Sequence, residues 1–378
     1  MIPRKLEPKL LDLLKRSNKV LVLYGARQVG KTTLAQNLLR KVEGKHLNIN
    51  ADKAPYPEVL SSRDFEKLQG LVSGYDLLFL DEAQRVPDIG INLKILHDNI
   101  PDLKILVTGS SSLDLANRIK EPLTGRTWTY RLFPISVSEW QLYTGANNFE
   151  LRIKLDEWMR FGMYPEVLQI ENHDEKRKYL EELTSAYLYK DILTLANIRY
   201  PEKLRQLLKL LAYQLGNLVS IHELATSLQI NRETVINYID LLEKAFVIFQ
   251  LGSFQRNLRK EVTTMNKIYF FDTGVRNAII ENFSPVHLRN DVGALWENFL
   301  ISERLKKSEY DGLYANRYFW RTHSGAELDY VEERNGKLIG YEFKWKSKSS
   351  RTPKTWLETY DNAEWHVLNR DNFYDFVL

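Results

Sequence analysis

The chain has 378 residues, of which 44% are hydrophobic and 27% charged, an ordinary composition for a globular protein. Its length favours two or three domains rather than one. No run approaches the roughly 18 apolar residues of a membrane span. The absence of cysteine excludes disulfides, thiolate metal sites and a cysteine nucleophile, and a net charge of +4 is too small to indicate nucleic-acid binding by itself.

Two features bear on location. The first residues, MIPRKLEPKLLDLLKRSNK, are too charged for a secretory signal peptide and predict a short amphipathic helix. A chain without cysteine also suits a reducing compartment. We therefore expect a cytoplasmic protein without a membrane partner.

The first third of the chain alternates short apolar runs with segments of helical length. Runs without polar alternation are typical of parallel strands covered on both faces, so this part predicts an α/β domain. The predicted strands are Val20–Tyr24, Leu47–Asn50, Leu77–Leu80, Ile105–Thr108 and Thr127–Phe133.

A phosphate-binding loop follows the first of these strands. Gly25, Gly30, Lys31 and Thr32 have the spacing G-x4-G-K-T between a strand and a predicted helix, which is the context that the motif requires. Glycines let backbone N–H groups surround phosphates, the lysine reaches the β and γ oxygens, and the threonine hydroxyl binds magnesium. We expect ATP and Mg²⁺ as cofactors. The residues expected to contact ATP here are Gly25, Ala26, Arg27, Gln28, Val29, Gly30, Lys31, Thr32 and Thr33.

An acidic pair, Asp81 and Glu82, ends the apolar strand Leu77–Leu80. Asp81 can hold magnesium, and Glu82 can polarise the attacking water. The pair alone would be a weak signal, because acidic residues often end strands. Together with the loop it predicts ATP hydrolysis.

Two further residues are candidates in this region. Ser110, after strand Ile105–Thr108, could lie beside the γ-phosphate, although it could equally cap a helix that begins near Ser112. Arg126 could stabilise transition-state charge on the nucleotide of a neighbouring subunit, and its alternative is a plain surface role. The first reading of Arg126 requires a homo-oligomer.

These motifs resemble those of a known family. Tyr24–Leu34, Leu80–Gln84, Thr108–Ser112 and Leu123–Arg126 are similar to prokaryotic AAA+ superfamily ATPases that carry a DUF4143 domain at the C-terminus. The resemblance continues through Phe271–Gly274, Trp296–Asn298 and Phe319–Arg321. It implies an ATPase core, a winged-helix-like segment and a terminal domain similar to PD-(D/E)XK nucleases.

The middle of the chain predicts a helix-turn-helix. Residues 136–215 have helical spacing, with examples in Glu157–Phe161 and Tyr179–Leu195. Ser220 and Glu223 have the spacing of a capping box for a helix to about Leu228. Asn231 is a good cap for a second helix, Arg232–Ala245.

Strands Val247–Phe254 and Lys267–Phe271 would form a wing, which makes the segment resemble a winged helix. The second helix lacks net positive charge, which disfavours its binding in a groove of DNA. Arg256, Arg259 and Lys260 in the wing favour contact with DNA. DNA contact and a purely internal or protein-docking role both stay open.

The C-terminal part predicts one helix, Ala294–Leu305, and the strands Tyr318–Arg321, Glu327–Val331 and Leu338–Lys346. Alternation along the last strand places Glu342 and Lys344 on one surface, and Asp329 lies across a predicted hairpin turn. Glu297 lies among apolar residues of the helix, where a carboxylate needs a partner. Glu303 shares that property, so the choice of Glu297 depends on the resemblance.

The resemblance implies a nuclease site from these groups, with Glu297, Asp329 and Glu342 as metal ligands and Lys344 as the residue that orients water. The bare spacing is weak, and an exposed charged hairpin would also satisfy it. A basic run follows, with Lys346, Lys348, Arg351 and Lys354, and Trp345 and Trp356 could stack on bases.

The predicted architecture has four parts. Residues 1–140 form the P-loop ATPase, 141–215 a helical lid or linker, 216–280 the winged-helix-like segment, and 281–378 an α/β restriction-endonuclease-like domain. The predicted function is an ATPase coupled to a C-terminal domain that binds nucleic acid, with DNA favoured over RNA, and that resembles a metal-dependent nuclease. The alternative is a regulatory ATP switch whose C-terminal domain only binds nucleic acid or a protein.

Overall fold

The computed structural model describes residues 1–53, 55–109, 122–185, 198, 200–254, 265–322, 326–346 and 354–378. The chain forms two compact units, one of Met1–Pro134 with Lys244–Phe246 and one of Ile135–Glu243 with Val247–Leu378. The finer boundaries at 215/216 and 280/281 stay predictions. In these ranges, no helix combines the length and the apolar character needed to cross a membrane.

The described helices have the following bounds: α1 Glu7–Arg16, α2 Lys31–Leu39, α3 Tyr56–Leu60, α4 Phe65–Val72, α5 Ile89–Asn99, α6 Val137–Thr144, α7 Asn148–Phe161, α8 His173–Leu183, α9 Pro201–Tyr213, α10 Ile221–Leu228, α11 Arg232–Lys244, α12 Thr273–Ile279, α13 Val292–Asp311, α14 Lys354–Thr359 and α15 Tyr374–Val377.

The described strands are β1 Val20–Tyr24, β2 His46–Asn50, β3 Leu77–Asp81, β4 Lys104–Gly109, β5 Thr127–Arg131, β6 Leu218–Val219, β7 Ile248–Ser253, β8 Asn266–Phe270, β9 Asn316–Arg321, β10 Glu327–Arg334, β11 Lys337–Phe343 and β12 Ala363–Leu368.

The first unit contains a parallel sheet in the order β2-β3-β4-β1-β5. Its central strands are apolar because both faces are covered, and Val22, Leu80 and Val107 belong to one buried cluster. The carboxyl ends of β1, β3 and β4 lie side by side. This parallel α/β architecture is the one predicted, and its edge collects the residues that follow each strand.

The second unit contains a mixed sheet in the order β12-β11-β10-β9-β7-β8-β6. Strand β7 pairs antiparallel with β8 on one side and parallel with β9 on the other. The strands of the predicted wing therefore continue into the sheet of the C-terminal region. The sequence did not indicate this pairing, because it joins segments more than sixty residues apart.

Local capping explains the two helices of the predicted helix-turn-helix. The Ser220 side chain accepts a hydrogen bond from Glu223 N at the start of α10, and Asn231 Oδ1 accepts one from Thr234 N, 2.7 Å away, at the start of α11. Gln229 adopts a left-handed conformation at the turn between them. The predicted cap positions are confirmed.

Several predicted ends differ from the structure. Strand β5 ends at Arg131 rather than Phe133, and β11 ends at Phe343 rather than Lys346, so Lys344 lies just beyond the strand. The predicted helix Tyr179–Leu195 corresponds to α8 up to Leu183, and residues 186–197 lie outside the described residues. Ser112 and its predicted helix, Arg256, Arg259, Lys260, Lys348 and Arg351 also lie outside them.

Candidate functional site

The loop between β1 and α2 has a backbone that only certain residues tolerate. A Cβ atom built on Gly25 would lie 2.1 Å from Leu132 O, so a side chain there collides with backbone. Gly30 caps α2 with φ 95°, and Gln28 has φ 58°. Ala26 and Val29 are buried. The loop therefore wraps tightly around the start of α2, as a phosphate cradle requires.

Lys31 lies at the first position of α2 and is buried. Its Nζ donates hydrogen bonds to Gly25 O at 3.0 Å and Ala26 O at 2.7 Å, so the ammonium lies against the concave backbone of the loop. Burial lowers the pKa of Lys31 to about 8, and the charges of Glu82 and Asp81 partly oppose that shift. A cation held in this way, beside a helix N-terminus, is suited to bind phosphate oxygens.

Thr32 and Asp81 meet although 49 residues separate them. Thr32 Oγ1 donates to Asp81 Oδ2 over 2.9 Å, because α2 follows β1 and β3 ends at the same edge of the sheet. The other Asp81 oxygen accepts a hydrogen bond from Thr108 at the end of β4. A hydroxyl beside a carboxylate is a donor set that suits Mg²⁺. Thr33, the next residue of α2, is exposed.

Glu82 directly follows β3 in a left-handed conformation, with φ 55°. Its carboxylate accepts a hydrogen bond from the Gln84 side chain. A non-glycine residue with positive φ is uncommon and places the side chain where an ordinary strand continuation would not. Glu82 is thus turned out of the strand direction and oriented by Gln84.

Sequence reasoning missed Thr108 and Gln84. It proposed Ser110 as the polar residue after β4, and Ser110 lies outside the described residues. Thr108 was assigned to a strand and to a motif that carries the family resemblance, but it was given no role in the site. Its hydroxyl was the available signal, because Thr108 lies at the end of a strand beside β1 and β3. Gln84 stands two residues after Glu82, within reach for a hydrogen bond only because the chain turns there.

Arg126 is held within its own unit. Its Nε donates to Asp98 Oδ1 at the end of α5 over 2.7 Å, and the pair is partly exposed. The hydrogen bond from Arg126 lowers the pKa of Asp98. A role on a neighbouring subunit's nucleotide would require this pair to open, and that role stays a prediction.

A second polar cluster lies in the other unit and contains all the predicted nuclease residues. Lys344 pairs with Glu342 over 2.7 Å, and its charge also interacts with Asp329 and Glu297. Asp329 Oδ2 accepts a hydrogen bond from Phe343 N over 2.7 Å, where β10 faces β11. A register irregularity between Leu328 and Val331 brackets Asp329, and such bulges redirect side chains.

Glu297, on α13, is bonded to groups from β8. Its Oε1 accepts from Lys267 Nζ at 3.2 Å and from the Tyr269 hydroxyl. Lys267 Nζ also lies 2.7 Å from Glu327. Lys267 is only 3% exposed, so its ammonium stands between two carboxylates inside the protein. Sequence reasoning missed Lys267, Tyr269 and Glu327, because their contacts join residues at least 28 positions apart in the chain.

Burial and neighbouring charges shift the pKa values of the residues in this cluster. Burial, followed by the charge of Asp329, raises the pKa of Glu297 to about 7. Burial also raises the pKa of Asp329. Burial opposes the charge of Lys267, but Glu297 and Glu327 outweigh it and raise the pKa of Lys267. Strong coupling of this kind is typical of functional sites, although structural ion networks also produce it.

Glu303 has a different environment from Glu297, which separates the two candidates on α13. Glu303 pairs with Lys306 over 2.5 Å and accepts a hydrogen bond from Val137 N over 2.7 Å. It belongs to a buried structural contact away from Asp329. The choice of Glu297 as the helix glutamate of the cluster is therefore supported by its partners.

The carboxylates of this cluster bear on metal binding. Over the described ranges, no three His, Cys, Asp or Glu side chains are arranged to hold a metal ion. Asp329 and Glu342 have the oxygen donors that Mg²⁺ prefers, whereas Glu297 is engaged by Lys267 and Tyr269. Glu297, Asp329 and Glu342 as metal ligands stay predictions.

One expectation about base stacking is wrong. Trp356 is fully buried, donates from Nε1 to Glu364 O over 3.1 Å and packs against Phe254, Trp320 and Tyr360. It is a core residue and cannot stack on a nucleic-acid base. Trp345 is partly exposed, with its ring 5.4 Å from that of Trp296.

Three family models match successive parts of the chain. Residues 17–141 match an AAA domain, residues 152–286 a domain of unknown function (DUF8612), and residues 292–373 another domain of unknown function (DUF4143). The predicted AAA-type domain and DUF4143 domain are thereby confirmed. The DUF8612 match was not predicted.

Relatives extend the match to most of the chain. An uncharacterized protein of Methanocaldococcus jannaschii is 25% identical over 349 residues, which cover 88% of this chain and 75% of that protein. A Walker-type ATPase of Pyrococcus abyssi has a similar structure, with a TM-score of 0.51 and 17% identity over 74% of this chain and 96% of that one. This likeness shows the fold alone.

An uncharacterized protein of Mycobacterium tuberculosis is 30% identical over 329 residues, which cover 86% of this chain and 70% of that protein. The chain therefore belongs to the same family as this mycobacterial protein, and it carries an AAA-type P-loop ATPase domain followed by a DUF4143 domain.

Proposed function

We propose that the protein binds ATP with magnesium and hydrolyses the nucleotide in its first unit. One observation carries the proposal: the hydrogen bond of 2.9 Å between Thr32 and Asp81 joins the phosphate loop to the acidic pair. Two motifs that are separate in the sequence thus come into contact, which supports a single shared site. Lys31, buried against the loop, supplies the third part.

Each residue has a distinct role in this proposal. Lys31 and the loop amides bind the phosphates, while Thr32 and Asp81 would hold the metal. Bound magnesium would neutralise charge on the phosphate oxygens. Glu82 polarises and orients the attacking water, and Gln84 fixes the direction of the Glu82 carboxylate.

The test compares binding and turnover. We expect Lys31→Ala to lose ATP binding, and Glu82→Gln to bind ATP normally but hydrolyse it at least about 100-fold more slowly. Lys94→Ala, which removes an exposed lysine of α5, serves as the matched control. Equal ATP binding by wild type and Lys31→Ala would refute the proposal.

A second candidate function concerns the C-terminal region, which we propose as a DNA-binding and nuclease-like domain. The order α13-β9-β10-β11-α14-β12 supports it, as does the electrostatic coupling of Glu297, Asp329 and Lys344. In this proposal Asp329 and Glu342 would hold a divalent cation beside a phosphodiester, with Lys344 orienting water.

DNA contact by the middle region belongs to the same proposal. Helices α10 and α11 with strands β6, β7 and β8 follow the element order of a winged helix. Lys203 and Asn237 lie along a cavity of about 570 Å³ beside the start of α11, and they could contact a backbone or base edge. A protein-docking role remains the alternative.

Cleavage is tested on plasmid DNA with Mg²⁺ or Mn²⁺. The nuclease proposal would be supported if the wild type cleaves the plasmid and Glu342→Gln does not. The control variant Glu309→Gln, which changes an exposed residue, should cleave like the wild type. Equal background from wild type and Glu342→Gln, with ATP hydrolysis intact, would favour the regulatory switch that only binds nucleic acid or a protein.

A further inference from the structure

Arg4 lies outside every motif that the sequence indicated, yet it contacts the phosphate loop. It precedes α1, and its backbone oxygen accepts a hydrogen bond from Glu7 N at the start of that helix. Its side chain is 8% exposed. Helix α1 packs against α2, and Glu7 pairs with Lys41, just beyond α2, over 2.6 Å. Arg4 is therefore placed by a helix that is itself attached to α2.

The guanidinium group joins two backbone segments. Arg4 Nη1 donates to Val29 O over 2.6 Å, and Nη2 donates to Phe133 O over 2.6 Å. A planar guanidinium presents its donors in a fixed geometry, so the two carbonyl groups are held at a set separation. Val29 belongs to the phosphate loop, and Phe133 follows β5.

The segment after β5 already supports the loop at its other end. Leu132 N donates to Tyr24 O over 2.8 Å, and Leu132 O lies 2.1 Å from the position that a Cβ of Gly25 would take. The loop is thus supported at Gly25 by residue 132 and at Val29 by residue 133 through Arg4. Breaking the second contact would leave the loop supported at one end only.

The contact also determines the direction of one amide. In a trans peptide the C=O and the next N–H point in opposite directions. Since Arg4 holds Val29 O, the Gly30 N–H is directed away from Arg4. A Cβ on Gly30 would lie only 3.7 Å from Arg4 Nη1, so the guanidinium adjoins the residue that caps α2.

We propose that Arg4 is a positioning residue of the nucleotide site, and that it fixes the Val29–Gly30 peptide for phosphate binding. The proposal rests on the proposed ATP binding. Arg4 acts through the loop backbone. Because bound substrate and transition state use the same loop amides, its loss should weaken binding of both by a similar factor.

The experiment measures the Kd for ATP by calorimetry and steady-state hydrolysis on the full chain. We expect Arg4→Gln to raise Kd and KM about tenfold while kcat changes less than about twofold. Arg4→Lys keeps the positive charge but lacks the planar guanidinium group. Its Kd for ATP should therefore lie between those of wild type and Arg4→Gln. Arg16→Gln, which removes an exposed arginine of α1, should equal wild type.

The outcomes separate this inference from the proposed function. A folded Arg4→Gln protein with the wild-type Kd for ATP would overturn the role of Arg4. So would an unchanged KM together with a fall in kcat that matches the fraction of unfolded protein. If Arg4→Gln does not fold, a wild-type Kd in Arg4→Lys overturns it. Failure of ATP binding by the wild type, or normal binding by Lys31→Ala, refutes the proposed function instead.

Discussion

Gly25 shows why the phosphate loop tolerates few substitutions. The nearest obstacle to a side chain is Leu132 O, a backbone atom of the segment after β5. Backbone cannot move aside without disturbing the pairing of β1 with β5, in which Tyr24 opposes Arg131. The glycine is thus required by the close approach of Leu132 O, whatever its part in the proposed phosphate binding.

The first prediction concerns this position. We expect Gly25→Ala to lower the free energy of unfolding by about 2 kcal/mol or more and to abolish ATP binding, because the new methyl group overlaps Leu132 O. Urea unfolding and ATP calorimetry measure the two effects.

Gly70→Ala is the matched control. Gly70 lies inside α4, and among the described residues, apart from its chain neighbours and the nearby backbone of α4 itself, no atom lies within 4 Å of a Cβ placed there. Alanine has the higher helix propensity, so we expect this variant to gain about 0.5–1 kcal/mol. A Gly25→Ala protein with wild-type stability would contradict the close-approach argument.

Helix α13 has ion pairs at its start and no side-chain cap. Asp291 precedes the helix and pairs with Arg276 over 2.5 Å and Arg289 over 2.8 Å. Both arginines are buried. This network positions the helix that carries Glu297 and Glu303.

The second prediction is that Asp291→Asn lowers the free energy of unfolding by about 3 kcal/mol at pH 7, because two buried guanidinium groups lose their charged partner. Burial would raise the pKa of Asp291, but Arg289 and Arg276 outweigh it and lower this pKa to about 2. The folded pKa lies below the usual value near 3.8, so the contribution of Asp291 is present above about pH 4 and is lost as the pH falls through 2.

Urea unfolding of wild type and Asp291→Asn at pH 7 and pH 3 measures this effect. The difference in free energy of unfolding between the two proteins should be smaller at pH 3 than at pH 7. Asp311→Asn, at the other end of α13, removes a more exposed pair with Lys307 and should cost about 0.5 kcal/mol or less. If the stability difference between Asp291→Asn and wild type does not change with pH, Asp291 does not stabilise the protein through its charge.

The two candidate sites lie in different units. Lys31, Asp81 and Glu82 belong to the first unit, whereas Glu297, Asp329 and Glu342 belong to the second. The stretch Lys244–Phe246 belongs to the first unit although the residues on either side belong to the second. The named residues of each candidate site therefore belong to a single unit.

The third prediction follows from this separation. Saturating Mg-ATP should raise the thermal unfolding midpoint of wild type and of Glu342→Gln equally, since a ligand stabilises the state that it binds. Lys31→Ala should show no rise. Differential scanning fluorimetry at several ATP concentrations measures the midpoints, and a smaller rise in Glu342→Gln would show that the second site influences nucleotide binding.

Local patterns predicted much of this protein. The strands of the first unit, the phosphate loop, the acidic pair and the caps of α10 and α11 all depend on residues near one another in the chain. Such features follow from backbone propensity, capping and apolar periodicity, which act over a few residues. The convergence of Glu342 with Lys344 was also predictable, because both lie in one short stretch.

Long-range packing decided the rest. The pairing of β7 with β9 brings Lys267 and Tyr269 to Glu297, the fold of the first unit brings Arg4 to Val29, and the core around Phe254 buries Trp356. The sequence alone determined the local elements and the chemistry of the loop. The distant side chains that join each site depend on which surfaces are buried against one another, and residues that are neighbours in the chain do not specify this.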